Sequence, residues 1–296
     1  MDLILGIIEQ GLIYSFLALG IYITFHVLNF PDLTVDGSFA LGGAIAVSLV
    51  VIGLNPLLAV FAAILGGLAA GCLTGMLHVK FGISDFLAGV IVQIALYTVN
   101  LLIAGSSYVA IYNQTTIFNG DFIMNLLPNM KQVQRNILLL LPLVILIKVF
   151  LDFFFQTKAG FLLKAAGDNP TLVKTMAKDP GNQKIIGLAM ANGLVALGGA
   201  LLAFQQGFFE VTMGTGAMVM GLASFIIGMK IFCKISFIKA TTAAIFGSIL
   251  YKCVLSLAMA MGFPANALKL LISLILFVIL VLSKDRKKKV KYADLK

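Results

Sequence analysis

Nine apolar stretches long enough, or nearly long enough, to cross a lipid bilayer run through this chain of 296 residues. They cover roughly 3–28, 34–53, 56–79, 84–105, 136–156, 184–207, 213–230, 239–261 and 266–283. About 20 mostly apolar residues are needed to span the hydrocarbon core as a helix. Because lipid offers no hydrogen bonds, the backbone must satisfy itself, which leaves helices as the solution for runs of this length. The pattern predicts an all-α polytopic membrane protein with about nine transmembrane or partly re-entrant helices, within a range of eight to ten. The runs at 34–53 and 213–230 are rich in glycine and open on polar residues, so they are expected to be broken or partly re-entrant. Composition supports the same solvent: 60% of residues are apolar and 11% charged, with a mean hydropathy of +1.06, against about 45–50% and 25% for soluble domains. A soluble enzyme, a nucleic-acid binder and a disordered chain are excluded on this ground. No stretch outside the spans is long enough for a soluble domain, so 1–283 reads as one transmembrane domain, followed by a basic tail at 284–296.

Charge then orients the spans. The net charge of +9 is concentrated in two places. One is the tail, with Lys284, Arg286, Lys287, Lys288, Lys289, Lys291 and Lys296; the other is the 157–183 segment with its flank, carrying Lys158, Lys164, Lys174, Lys178 and Lys184. Basic residues beside apolar spans mark the cytoplasmic side. The links near Lys80 and at 230–239 fall on that side too, whereas 106–134, with few charges, falls outside. Nine spans place the N-terminus outside and the C-terminus in the cytoplasm. The first run lacks a basic leader and a clear cleavage site, so it is expected to be retained.

Polar side chains within the spans each need a reason, since an ionisable group at mid-bilayer costs roughly 2.5–3.5 kcal/mol on insertion scales. Glu9, with Gln10, either faces inward or sits near the headgroups. Asp32 and Asp36 follow the turn Asn29-Phe30-Pro31; Asp32 and Thr34 suit a helix cap, whereas Asp36 lies a turn further in and suits a polar path. Gln93, Tyr97 and Asn100 share one helical face by their spacing, as glue between helices or as the lining of a path. Lys148 and Asp152, four apart, are expected to pair. Lys252 lies in mid-span and needs water or an acid from another helix. Glu210 is either a rim contact or solvated.

Other features report packing more than chemistry. Gly66, Gly67, Gly71 and Gly75 form a small-residue face, as do Gly193, Gly198 and Gly199, and such faces allow close helix approach. Thr34 to Gly43 loosely echoes Thr212 to Gly221, as a repeat-built transporter would and as chance also would. Cys72, Cys233 and Cys253 show no metal-ligand spacing and read as small buried hydrophobes. No catalytic constellation, metal site or phosphate-binding loop is present in the sequence, so neither enzymatic activity nor nucleotide hydrolysis is expected of this chain.

The most informative stretch is 157–183. A short amphipathic helix at Phe161–Ala166 is expected to stop at Gly167. Asp168 or Asn169 then caps a second helix that begins at Pro170. A helix–turn–helix with basic and apolar sides suits docking to a cytosolic partner, or an interfacial helix lying on anionic lipid.

The stretch from Gly160 to Pro170 resembles the coupling segment of the ABC importer permeases that include the branched-chain amino acid, ribose and galactose permeases. Asp32-Leu33-Thr34-Val35 with Gly37-Ser38 is similar to a motif of the sugar members. Glu9-Gln10-Gly11-Leu12, the run from Asn29 to Ser38, and Gly167-Asp168-Asn169-Pro170 are closer still to the subgroup encoded with tryptophan/tyrosine-type substrate-binding lipoproteins. The resemblance spans nearly the whole chain. It departs at Lys164, where many relatives carry arginine; lysine keeps the charge but loses the bidentate fork.

What the resemblance implies is a permease subunit of an ATP-binding-cassette importer in the bacterial plasma membrane. It would dimerise, most simply with itself, above two ATP-binding subunits, and take substrate from an external binding lipoprotein. ATP and Mg would belong to the partner, leaving this chain without a cofactor of its own. Coupling would run through Gly160, Lys164, Ala165, Gly167, Asp168, Asn169 and Pro170. The pathway would be lined from among Asp36, Gln93, Tyr97, Asn100, Glu9 and Lys252. An amino acid, an aromatic one by the subgroup, is the expected cargo; a sugar, nucleoside or other small solute on the same machinery is the alternative, and a stand-alone secondary transporter is an alternative of another class.

Overall fold

A computed structural model describes residues 2–120, 130–175, 179–232 and 238–262, together with Leu270, Ser273, Leu274, Phe277 and Val278. The described elements in chain order are α1 (Asp2–Ile21), a π-helical turn (Tyr22–Val27), α2 (Thr34–Val51), α3 (Pro56–Val79), α4 (Asp85–Ala104) and β1 (Tyr108–Ala110). They continue with α5 (Gln132–Phe154), α6 (Lys158–Asp168), α7 (Pro170–Thr175), α8 (Pro180–Gln206), β2 (Phe208–Glu210), α9 (Ala217–Phe232) and α10 (Ala240–Ala260). Among the described residues, seven helices are long and apolar enough to cross a membrane: Leu3–Val27, α2, α3, α4, α5, α8 and α10. The chain is an all-α polytopic membrane protein. The expected last span at 266–283 lies largely outside the described residues.

The two glycine-rich runs behave differently. α2 is an unbroken helix of 18 residues. The 213–230 run is not a full span: its helix, α9, has 16 residues and rises about 24 Å. The link before it, 211–216, occupies the depth that the helix does not. Gly214 packs on the Asp36 carbonyl, and Met213 lies beside Gly43, so the link runs along α2 inside the bundle.

Close helix approach sets the core. α3 and α8 lie side by side, and a Cβ on Gly71 would come within 2.2 Å of the Leu188 carbonyl oxygen. Gly67 and Gly75 meet α8 on the same face, while Gly66 turns to Ile45 of α2. Gly193, Gly198 and Gly199 face three different helices, meeting Leu68, Phe16 and Phe39 in turn. α8 is therefore the central post of the bundle, with nearly every residue from Gly187 to Phe204 buried.

The two ends of the bundle are distinguishable by contacts. At one end the side-chain amide of Asn29 donates to the Gly167 carbonyl (3.3 Å), Lys184 meets His78 (3.2 Å), and Lys239 meets Asp152 (3.2 Å). At the other end β1 and β2 pair antiparallel, with Tyr108 opposite Glu210 and Ala110 opposite Phe208.

Candidate functional site

The first helix does not end cleanly. Proline at 31 has no N–H and disfavours helical geometry at Phe30. The preceding turn widens to π spacing, with the Leu28 amide bonding to Ile23 O and the Phe30 amide to Thr24 O. Such bulges recur at functional sites. Asn29 takes a positive φ of 51°, a conformation asparagine tolerates better than most residues. The chain then turns back into the bundle.

Asp32 follows this turn and is fully buried. One carboxylate oxygen accepts the amide of Thr34, the first residue of α2, at 2.9 Å, from one position before the N-cap, Leu33, instead of from the cap position itself; the other accepts the Asn192 side-chain amide at 2.7 Å. Asn192 lies about three turns into α8, so the acid is held at depth rather than at the rim. The Thr34 hydroxyl meets that of Thr74 at 2.7 Å.

Asp36 is also engaged. Its two carboxylate oxygens accept the backbone amides of Gly216 (3.0 Å) and Met218 (2.7 Å). It thereby caps α9, where free amides and the helix dipole favour a negative charge. A helix leaves its first amides without intrahelical partners, and the carboxylate supplies acceptors for two amides at the start of α9.

Beside this cap lies a cavity of about 500 Å³ lined by Asp36, Gln93, Tyr97, Thr98, Asn100 and Thr215, among others. Four residues singled out from sequence (Asp36, Gln93, Tyr97 and Asn100) therefore share one hollow. Asn100 donates to the Gly37 carbonyl at 3.2 Å, while its buried side-chain oxygen has no protein partner among the described residues. Tyr97 is 50% exposed, and Thr98 is exposed beside it, so the hollow opens on the flank of the bundle.

Glu9 and Lys252 do not line this cavity. Glu9 is buried and accepts a hydrogen bond from Asn136 at 2.6 Å and another from Gln205, tying α1 to α5 and α8. Lys252 is buried, with its ammonium 3.6 Å from the centroid of the Tyr14 ring, a cation–π contact in place of the acid considered from sequence. The expected Lys148–Asp152 pair forms at 2.9 Å.

The 157–183 segment corrects one expectation. The first helix begins at Lys158, capped by the Thr157 hydroxyl, and passes through Gly167 to Asp168 instead of running from Phe161 to Ala166. Glycine at 167 is needed for approach, not termination: a Cβ there would sit 2.0 Å from the Val27 carbonyl oxygen. Gly160 likewise packs on the Phe154 carbonyl. The second helix starts at Pro170 as expected, with the Thr171 hydroxyl bonded to Asn169. Asp168, Asn169 and Pro170 are exposed and Ala165 half-buried, while Lys164 leans back over the Phe155 ring, 4.9 Å from its centroid.

Asn192, Asn136, Gln205, Thr74 and Thr215 carry much of this polar framework and drew no attention in the sequence. Asn192 was findable: it is an uncharged polar residue in the middle of an apolar run. Thr215 had no such signal, because its place depends on the link folding into the bundle.

Residues 3–281 match the family described as branched-chain amino acid transport system / permease component. The tyrosine transport system permease protein of Clostridioides difficile is 40% identical over 277 residues, covering 94% of this chain and 90% of that protein. A probable branched-chain amino acid transport permease of Methanocaldococcus jannaschii is 28% identical over 72% of this chain and 70% of its own length. The ribose import permease of Escherichia coli K12 is 26% identical over 75% and 68%. No solved structure matches the chain. The chain belongs to this permease family and is the membrane-spanning component of a transport system, a multi-pass protein of the bacterial plasma membrane. Permeases of such systems work with ATP-binding and substrate-binding components.

Proposed function

We propose that this chain forms the pathway of an ATP-driven importer for an amino acid, an aromatic one foremost, delivered by an external binding protein. The observation that carries the reading is the cavity shared by Asp36, Gln93, Tyr97 and Asn100, in a chain 40% identical to a permease named for tyrosine transport. Its volume of about 500 Å³ is within the range of small-molecule sites, about 300–1,000 Å³. It opens on the flank of the bundle, and a second copy of the chain closing that flank would turn the hollow into a path on the dimer axis.

In this reading the α6 end faces the cytoplasm and the strand pair faces out. Gly160 to Pro170 forms the surface under which the ATP-binding subunit docks. ATP and Mg are bound and used there; this chain contributes no catalytic group. Motion of α6 reaches the cavity through a short chain of contacts, from Gly167 to Asn29, then along the turn to Asp32 and Asp36. Driving of one arrangement over another follows from differential binding of the partner to the two.

The test is uptake of radiolabelled tyrosine into proteoliposomes holding the permease, its ATP-binding subunit and its binding protein. Uptake should require ATP and be competed by tryptophan or phenylalanine more than by leucine or ribose. Competition by ribose alone would move the cargo to the sugar class. Uptake by the permease alone on an ion gradient would replace the importer with a secondary transporter.

A further inference from the structure

We propose that a basic pocket at the α6 end of the bundle binds the phosphate headgroup of an anionic phospholipid. The pocket, about 350 Å³, lies between the end of α5, α6 and the start of α10, and is lined by Tyr22, Asp152, Phe155, Lys164, Lys239 and Thr241 among others. It is separate from the cavity beside Asp36, and the inference does not rest on what that cavity carries.

Charge makes the pocket an anion site. Asp152 is the one acid among its described lining residues, and both its oxygens are used: one by the Thr241 hydroxyl at 2.6 Å, the other by Lys148 at 2.9 Å and Lys239 at 3.2 Å. Two lysines thus share one carboxylate. Lys164 adds a second positive charge to the lining, with no carboxylate beside it among the described residues; its ammonium is held over the Phe155 ring instead. With Lys148, outside the pocket, also paired to Asp152, the acid is saturated, and the two lysines that line the hollow leave a surplus that a phosphate would neutralise, with the Lys164 and Lys239 ammonium groups as donors.

The surroundings say which phosphate. On α5, one and two turns before Asp152 and on its side of the helix, Val149 and Ile145 are 54% and 51% exposed, on one of the membrane-crossing helices. An apolar outer wall that ends in a cationic hollow matches a lipid, with acyl chains along α5 and headgroup in the pocket. Basic pockets between helices at the membrane surface recognise anionic headgroups by this chemistry. A free phosphate would use the hollow and leave the exposed Ile145 and Val149 beside it unexplained. Since Lys164 belongs to α6, a bound lipid would also clamp α6 against α5 and α10.

Native mass spectrometry of the delipidated full-length chain tests the proposal, with phosphatidylglycerol, phosphatidylcholine of the same acyl chains, and inorganic phosphate as probes. One phosphatidylglycerol should be retained with clear preference over phosphatidylcholine. Its affinity should fall about fivefold for Lys164→Gln and again for Lys239→Gln, while Lys164→Arg keeps it. The basic tail is present in every variant and cancels from the comparison. Lys164→Gln breaks no ion pair among the described residues, so it carries the test where the double variant fails to fold. Equal retention of phosphatidylcholine, or unchanged phosphatidylglycerol affinity in Lys164→Gln, overturns the proposal. Displacement of the lipid by millimolar inorganic phosphate overturns the headgroup assignment in favour of a free anion.

Discussion

The Asp36 carboxylate, in the first turn of α2, accepts the Met218 backbone amide at 2.7 Å in the first turn of α9. One acid thus joins two helices whose starts lie inside the bundle. Asp36→Ala removes both acceptors from α9 at once. Loss of a helix cap costs about 0.5–2 kcal/mol, and the upper end applies here because one carboxylate serves two amides at once. The expected outcome is a melting temperature lower by several degrees and uptake reduced at least tenfold, with Asp36→Asn intermediate on both. Thermal unfolding of the purified chain alongside proteoliposome uptake checks this. Wild-type stability and uptake in Asp36→Ala would mean that the cap is dispensable and the acid not on the path.

Gly167 is the point at which α6 touches the π-helical turn. An added methyl group would have to push the Val27 backbone carbonyl away from its 2.0 Å approach, and overpacking of this kind costs typically about 1–3 kcal/mol. Gly167→Ala should shift α6 off the turn and weaken the Asn29 contact. In the reconstituted complex, stimulation of ATPase by loaded binding protein should fall by about an order of magnitude while unstimulated hydrolysis persists. Full stimulation in Gly167→Ala, or in the more severe Gly167→Arg, would remove this contact from the coupling route.

Asp32 and Asn192 test the buried framework rather than the path. Asn192→Leu leaves one oxygen of a buried carboxylate without its donor, at a cost of about 1–3 kcal/mol or more for a charged group. Replacing both residues by leucine removes donor and acceptor together, so the double variant should be less destabilised than the sum of the singles. Unfolding measurements on the four proteins of the double-mutant cycle give the coupling directly. Additive effects would contradict a direct bond between the two.

How far these arrangements could be read from the sequence depended on their range. Span positions were legible because hydropathy over about 20 residues is a one-dimensional signal, and α3, α4 and α8 lie where it indicates. The face shared by Gln93, Tyr97 and Asn100 was legible from helical spacing alone. That Asp36 belongs with them was suggested by its depth, but its bond to α9 was not legible, since the two are 182 residues apart. Gly167 was misread as a stop because glycine has two uses, and only the neighbouring Val27 carbonyl distinguishes close approach from termination. Lys252 was expected to meet water or an acid from another helix; the Tyr14 ring lies beside it instead, and no local pattern marks Tyr14 as that face.

The strand pair offers a test of whether the link at 211–216 moves. Ala110 faces Phe208, and the amides of Ile111 and Val211 bond to Gly207 and Ser107, so Ala110 and Phe208 form a non-hydrogen-bonded antiparallel pair. Such pairs have Cα atoms about 4.5 Å apart, within the range a disulfide bridges. In a background without the three native cysteines, Ala110→Cys with Phe208→Cys should cross-link rapidly under mild oxidant. β2 leads directly into the link that ends at the Asp36 cap, so fixing it to β1 restrains the wall of the cavity formed by Val211 and Thr215. Uptake should drop at least fivefold on oxidation and recover with dithiothreitol, while the single variants stay near the parent. Efficient cross-linking with undiminished uptake would show that the link stays still during transport and that the opposite wall, on α4, makes the opening.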